Sequence, residues 1–198
     1  MATRHDHVTE RGFDFSSAMR RLCADVVQRL PELHHVDLDR VAVSFCQARR
    51  GVAHGMQAAL TPLRFERGAR TTTCDGKRYV CQRVVDESGR DYLYILSFYL
   101  PRFLNLSVEE KLSTTLHELW HISPNCDGDL RRHDGRCYAH GSSQREYDAQ
   151  MDRLARTWLS LDPPHHLYEF LELDCQQLVA EYGSVHGQHV AVPKLLPL

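Results

Sequence analysis

Between Ser16 and Leu30 the apolar residues Met19, Leu22, Cys23, Val26, Val27 and Leu30 recur at helical spacing, and Pro31 closes the run. The pattern predicts a packing helix. Val41, Val43 and Phe45 then alternate with smaller residues, as in a half-buried strand, and Leu63 to Glu66, Arg78 to Val85 and Tyr92 to Leu100 read as further strands. The run Glu87-Ser88-Gly89-Arg90 is turn-forming and joins the last two as a hairpin. A second helix is expected from about Val108 to Ile122. Ser107 and Glu110 stand at capping-box spacing before it, and the ring of Pro124 disfavours helical geometry at Ser123 after it. Tyr147, Met151, Leu154, Ala155, Trp158 and Leu159 mark a third, amphipathic helix, and His165 to Tyr182, after Pro163-Pro164, reads as a last one. The apolar tail from Val190 to Leu198 is expected to pack across the surface. Strands followed by helices imply an α+β domain, with a small antiparallel sheet packed against the 108–122 helix and further helices flanking it.

Composition narrows the class. The chain's 198 residues suffice for one well-formed core and are short for two, so residues 13–198 are read as a single domain behind a charged, disordered lead at 1–12. No stretch approaches the roughly 20 apolar residues that span a bilayer, and the charged amino terminus lacks the apolar core of a secretory signal. The seven cysteines are scattered singly, without any CxxC, which suits a reducing compartment and places the protein in the cytoplasm. A net charge of −2 argues against wholesale nucleic-acid binding. Residues 48–83 are nonetheless basic, with Arg49, Arg50, Arg64, Arg67, Arg70, Lys77, Arg78 and Arg83 against Glu66 and Asp75. Nucleic acid is thus a possible partner through that stretch, although a solvated face is favoured.

The strongest chemical signal is the pentapeptide HELWH at His117 to His121. On a helix, histidines four apart lie one above the other, and Glu118 is rotated about 100° round the axis, within reach of a metal-bound water. With thirteen histidines in the chain, an HExxH arises in roughly one in twenty shuffled sequences, so context must decide. Leu112, Leu116, Leu119 and Ile122 fall on the side of the wheel opposite His117, while Ser113, Thr114 and His121 fall beside it, so the histidines face away from the helix's own apolar stripe. Two imidazoles as metal ligands, with Glu118 as general base, point to hydrolytic zinc chemistry.

A catalytic zinc takes a third protein ligand and keeps a fourth position for water. The metzincin spacing is absent, because Pro124 and Asp127 stand where its Gly and His would be. His133, His140 and Glu146 remain. His140 is preferred, since the following Gly141 lets an imidazole approach the helix without a bulky neighbour. Glu146 is adequately explained as a helix cap after Ser143. Tyr138, Tyr147, Arg131 and Arg132 are the candidate donors to a tetrahedral oxyanion.

Ile95, Leu96 and Ser97, then His117, Glu118 and His121, then His140 and Gly141 resemble the phage metallopeptidase family and, more distantly, the SprT-like zinc metallopeptidases. The likeness covers about residues 38–160. It implies a zincin-like fold, a Zn²⁺ cofactor, a protein or peptide substrate, and His140 as third ligand. The four-cysteine zinc ribbon that often follows the SprT-like protease domain has no counterpart in this chain. A zinc-dependent amide hydrolase on a non-protein substrate and a non-enzymatic, metal-stabilised binding module are the alternatives. Glu118 speaks against the latter, since a structural site has no use for a water-activating carboxylate.

Overall fold

The chain's most continuous apolar run, YILSFYL at Tyr94–Leu100, becomes the middle strand of a three-stranded sheet and is buried along almost its whole length. A strand with neighbours at both edges and layers on both faces needs such a run. The structure is a computed structural model that describes residues 12–48, 55–132 and 144–198. In chain order its elements are β1 (Phe13–Asp14), α1 (Phe15–Arg29), β2 (Val41–Gln47), β3 (Ala58–Pro62), β4 (Thr71–Cys74), β5 (Lys77–Cys81) and β6 (Tyr94–Leu100). They continue with α2 (Val108–Trp120), α3 (Gln144–Ser160), α4 (Cys175–Tyr182), β7 (Val185–His186) and β8 (Leu195–Pro197). The fold is α+β, as expected.

The central sheet has the order β2-β6-β3. It is mixed, not antiparallel: β2 pairs parallel with β6 from Val41↔Tyr94 to Gln47↔Leu100, and β3 pairs antiparallel from Ala58↔Phe98 to Pro62↔Tyr94. The long connection between β2 and β6 makes this possible, because parallel neighbours need a crossover that a tight turn cannot supply. On one face Val41, Val43, Leu96 and Phe98 join the main core with α1, α2, α3 and α4. On the other, Ala42 and Ile95 pack with Leu63 under a thin cover that includes Tyr92 and Val190. The tail follows the outer edge of β2, with Phe45 N–H donating to the Gln188 carbonyl at 2.7 Å. The outer edge of β3 carries no partner strand among the described residues.

Other expectations need correction. The strand foreseen at Leu63–Glu66 lies earlier, at β3, and the chain turns at Arg67 and Gly68, whose φ values of 57° and 72° end extended structure. β5 and β6 do not form a hairpin. They belong to different sheets, joined only by the Val85↔Asp91 bridge, because β6 is taken up by β2 and β3 while β5 pairs with β4 and with the tail strand β8. The last helix breaks into two short 3-10 turns and α4. The buried Lys111 ammonium takes the Leu171 and Leu173 carbonyls at 2.6 and 3.0 Å, and Asp174 with Gln177 then restarts the helix as a capping box.

Candidate metal centre

Helix α2 starts where the sequence places it. Ser107 Oγ accepts from the Glu110 N–H, and the Glu110 carboxylate accepts from the Ser107 N–H. Leu112, Leu116 and Leu119 enter the core, so the opposite side of the helix carries the two histidines. The helix stops at Trp120, earlier than expected, because Ile122 leaves it to bridge Leu130. His121 is the cap and keeps right-handed helical angles of φ −67° and ψ −15°. One turn of geometry therefore survives between the imidazoles, whose ring centroids are 4.7 Å apart with planes crossed at 79°.

Glu118 is buried at 9 % exposure. Its Oε2 accepts the Leu60 N–H at 2.7 Å, and no hydrogen bond reaches Oε1 from the described residues. Burial pushes its pKa up to about 7, opposed only by that backbone hydrogen bond. Leu60 sits on β3, and its N–H points away from β6, so the glutamate is fastened to the free edge of the sheet. The sequence carries no mark of this contact, because a backbone donor has no residue type.

Tyr147, on the first turns of α3, lies against both imidazoles, with ring centroids 4.9 Å from His117 and 5.9 Å from His121. Its hydroxyl donates to the His117 carbonyl at 3.3 Å. Burial holds its phenol protonated well above the usual range, and the nearby Glu118 carboxylate adds to the effect. Beyond α2 the chain turns back, and Arg131 N–H donates to the His121 carbonyl at 2.7 Å. Asp129 holds this return, taking the Arg67 N–H and both arms of the Arg132 guanidinium on its carboxylate and the Tyr94 hydroxyl on its carbonyl. Arg131 lies 4.3 Å over the Trp120 ring, donates to the Trp120 carbonyl and contacts His35 Nε2 at 3.1 Å. Of the foreseen oxyanion donors in the described residues, Tyr147 packs its ring against both imidazoles, while the Arg131 side chain bonds the Trp120 carbonyl and Arg132 bonds Asp129.

His117, Glu118 and His121 are thus brought together. His133, Tyr138 and His140 lie outside the described residues, but both flanks of their segment are placed. Arg131 on one side is bonded to His121, and Tyr147 on the other packs against both rings. Glu146 is exposed on α3 and forms no metal-binding group with the two histidines among the described residues. Among the described residues no three His, Cys, Asp or Glu form a metal-binding group. Two imidazoles one helical turn apart beside a buried carboxylate nonetheless have the donor chemistry of part of a zinc site.

A cleft of about 500 Å³ runs from His117 and Glu118 toward the start of α2. Ala58 of β3, Leu106, Glu110, Asp148, Met151 and Asp152 line it. In the basic stretch, by contrast, Arg64 and Arg83 share Asp91 at 2.9 and 2.7 Å, so part of that charge is neutralised. The described cysteines are all free, and no described helix is long and apolar enough to cross a membrane. In comparisons with known proteins, the chain matches no family model, no curated protein and no solved structure.

Proposed function

We propose that the protein is a zinc-dependent metallopeptidase, with Zn²⁺ held by His117, His121 and His140 and with Glu118 as general base. The observation that carries this reading is the placement of the HELWH helix. Its two imidazoles face one way, and its glutamate is buried in a cleft with one carboxylate oxygen uncommitted among the described residues. Bound zinc would supply Lewis acidity, lowering the pKa of water toward neutrality and polarising the scissile carbonyl. Glu118 Oε1 takes the proton from the attacking water and passes it to the leaving amine, while Oε2 stays held by Leu60 N–H. In the metal-free chain burial raises this carboxyl toward neutrality. The outer edge of β3, beside Glu118 and without a partner strand among the described residues, offers the Ala58 backbone and the Leu60 carbonyl to an extended peptide, which main-chain hydrogen bonds would align across the site. Tyr147 holds the imidazoles from behind. The free thiols suit a cytoplasmic setting.

Metal analysis of purified wild type, His117→Ala, His121→Ala, His140→Ala and His133→Ala tests the ligand set. About one zinc per chain is expected in wild type and in His133→Ala, and strong loss in the other three. Full zinc in His140→Ala with loss in His133→Ala would transfer the third ligand to His133.

A further inference from the structure

The cleft that leaves His117 and Glu118 is one-sided in charge. Glu110, Asp148 and Asp152 stand along it with Glu118, and among the described residues neither a lysine nor an arginine lines it. The floor is apolar, made by Ala58, Leu106 and Met151. Among the described residues neither Glu110 nor Asp152 enters an ion pair. Glu110 is spent only on the cap of α2, whose N–H contacts hold its carboxyl below the usual range and therefore ionised at neutral pH. Asp152 accepts the Ser113 hydroxyl at 2.7 Å through Oδ1. Asp148 and Asp152 are four apart on α3 and so project from the same face as Met151. At the inner end Glu118 lines the same space, nine-tenths buried, and no hydrogen bond reaches its Oε1 from the described residues. An acidic rim beside an apolar patch, closed at its inner end by a buried carboxylate, suits a cation on an aliphatic stem.

We infer that this cleft is a specificity subsite for a lysine or arginine side chain of the peptide substrate, with its methylenes on Leu106 and Met151 and its charge between Glu110 and Asp152. This inference rests on the metallopeptidase reading and names its substrate class. Basic side chains snorkel in this way, keeping the charged head in partly solvated surroundings. The carboxylates select for charge and the floor selects for length, so a short cation would gain less than Lys or Arg.

The test separates the two readings by measuring binding apart from cleavage. Fluorescein-labelled peptides identical except for one Lys, Ala or Glu are titrated by fluorescence polarisation into the zinc-loaded Glu118→Gln protein, which retains the rim carboxylates. The Lys peptide should bind at least about tenfold more tightly than the Glu peptide, with the gap shrinking as salt rises. Glu110→Gln and Asp152→Asn preserve the cap and the Ser113 hydrogen bond, and combining them should bring the Lys and Ala peptides to within about twofold of each other. Asp152→Lys should turn the preference toward the Glu peptide. Equal binding of all three peptides, or a Lys preference untouched by the double variant, overturns the subsite. If wild type cleaves no peptide while the preference is present, the peptidase reading falls and the cation site stands. If wild type cleaves peptides without regard to charge, the reverse holds.

Discussion

Glu118→Gln should make the metal-free protein more stable, and increasingly so as pH rises. Among the described residues the buried carboxyl has a single backbone donor and no cation, and burial raises its pKa from 4.5 to about 7. Its ionised form is therefore disfavoured in the folded chain, and the direction of linkage follows. The stability it permits is present in full below pH 4.5, falls as the pH rises through that window, and is lost above about pH 7. The interval corresponds to about 3 kcal/mol at its upper limit. Gln keeps an acceptor for the Leu60 N–H and does not titrate, so the substitution isolates the charge. In chelator-treated protein, urea unfolding should give a variant more stable than wild type by about 2–3 kcal/mol at pH 8 and by under about 1 kcal/mol at pH 5. For a chain of this size that is about 5–10 °C in Tm at the higher pH. Parallel stability curves, or a variant weaker than wild type at pH 8, would refute the claim that Glu118 is an uncompensated buried carboxylate. A residue kept at such a cost to stability is the signature of a functional site.

Zinc at a hundredfold its Kd should add about 2.7 kcal/mol to the unfolding free energy of wild type and nothing to that of His117→Ala, read by thermal shift with and without chelator. Lys111→Met should cost about 2–4 kcal/mol, because the Leu171 and Leu173 carbonyls lose their donor in a place 2 % exposed, and a loss under about 0.5 kcal/mol in urea unfolding would count against that role. Tyr147→Phe removes one 3.3 Å hydrogen bond and keeps the ring, so a loss below about 1.5 kcal/mol with unchanged zinc content is expected. Disappearance of zinc in that variant would instead make the phenol a ligand.

The elements that could be read in advance are those with local causes. α2 is announced by Ser107 and Glu110 and α1 by its apolar spacing, and both form with boundaries within two residues of expectation. Pairing partners are set by tertiary contacts instead. Tyr94–Leu100 looks like one arm of a hairpin, yet its two buried faces draw it between β2 and β3, leaving β5 to the tail strand. The break after Glu172 has its cause in Lys111, far away in the chain, whose ammonium takes carbonyls that a continuous helix would have used. In the site, His117, Glu118 and His121 were recognisable because their side chains carry the chemistry at fixed spacing. Leu60 was not, since its contribution is a backbone N–H. Asp148 and Asp152 read as the solvated face of an amphipathic helix, and only the packing of α3 against α2 turns them toward a cleft.

The most direct measurement is hydrolysis of casein by the zinc-loaded protein, with wild type and Glu118→Gln at equal zinc content in the same assay. Release of peptides by wild type, reduced at least about a hundredfold in Glu118→Gln, is the expected result. Equal hydrolysis by the two proteins, or none by either, would contradict a peptidase built on the HELWH helix.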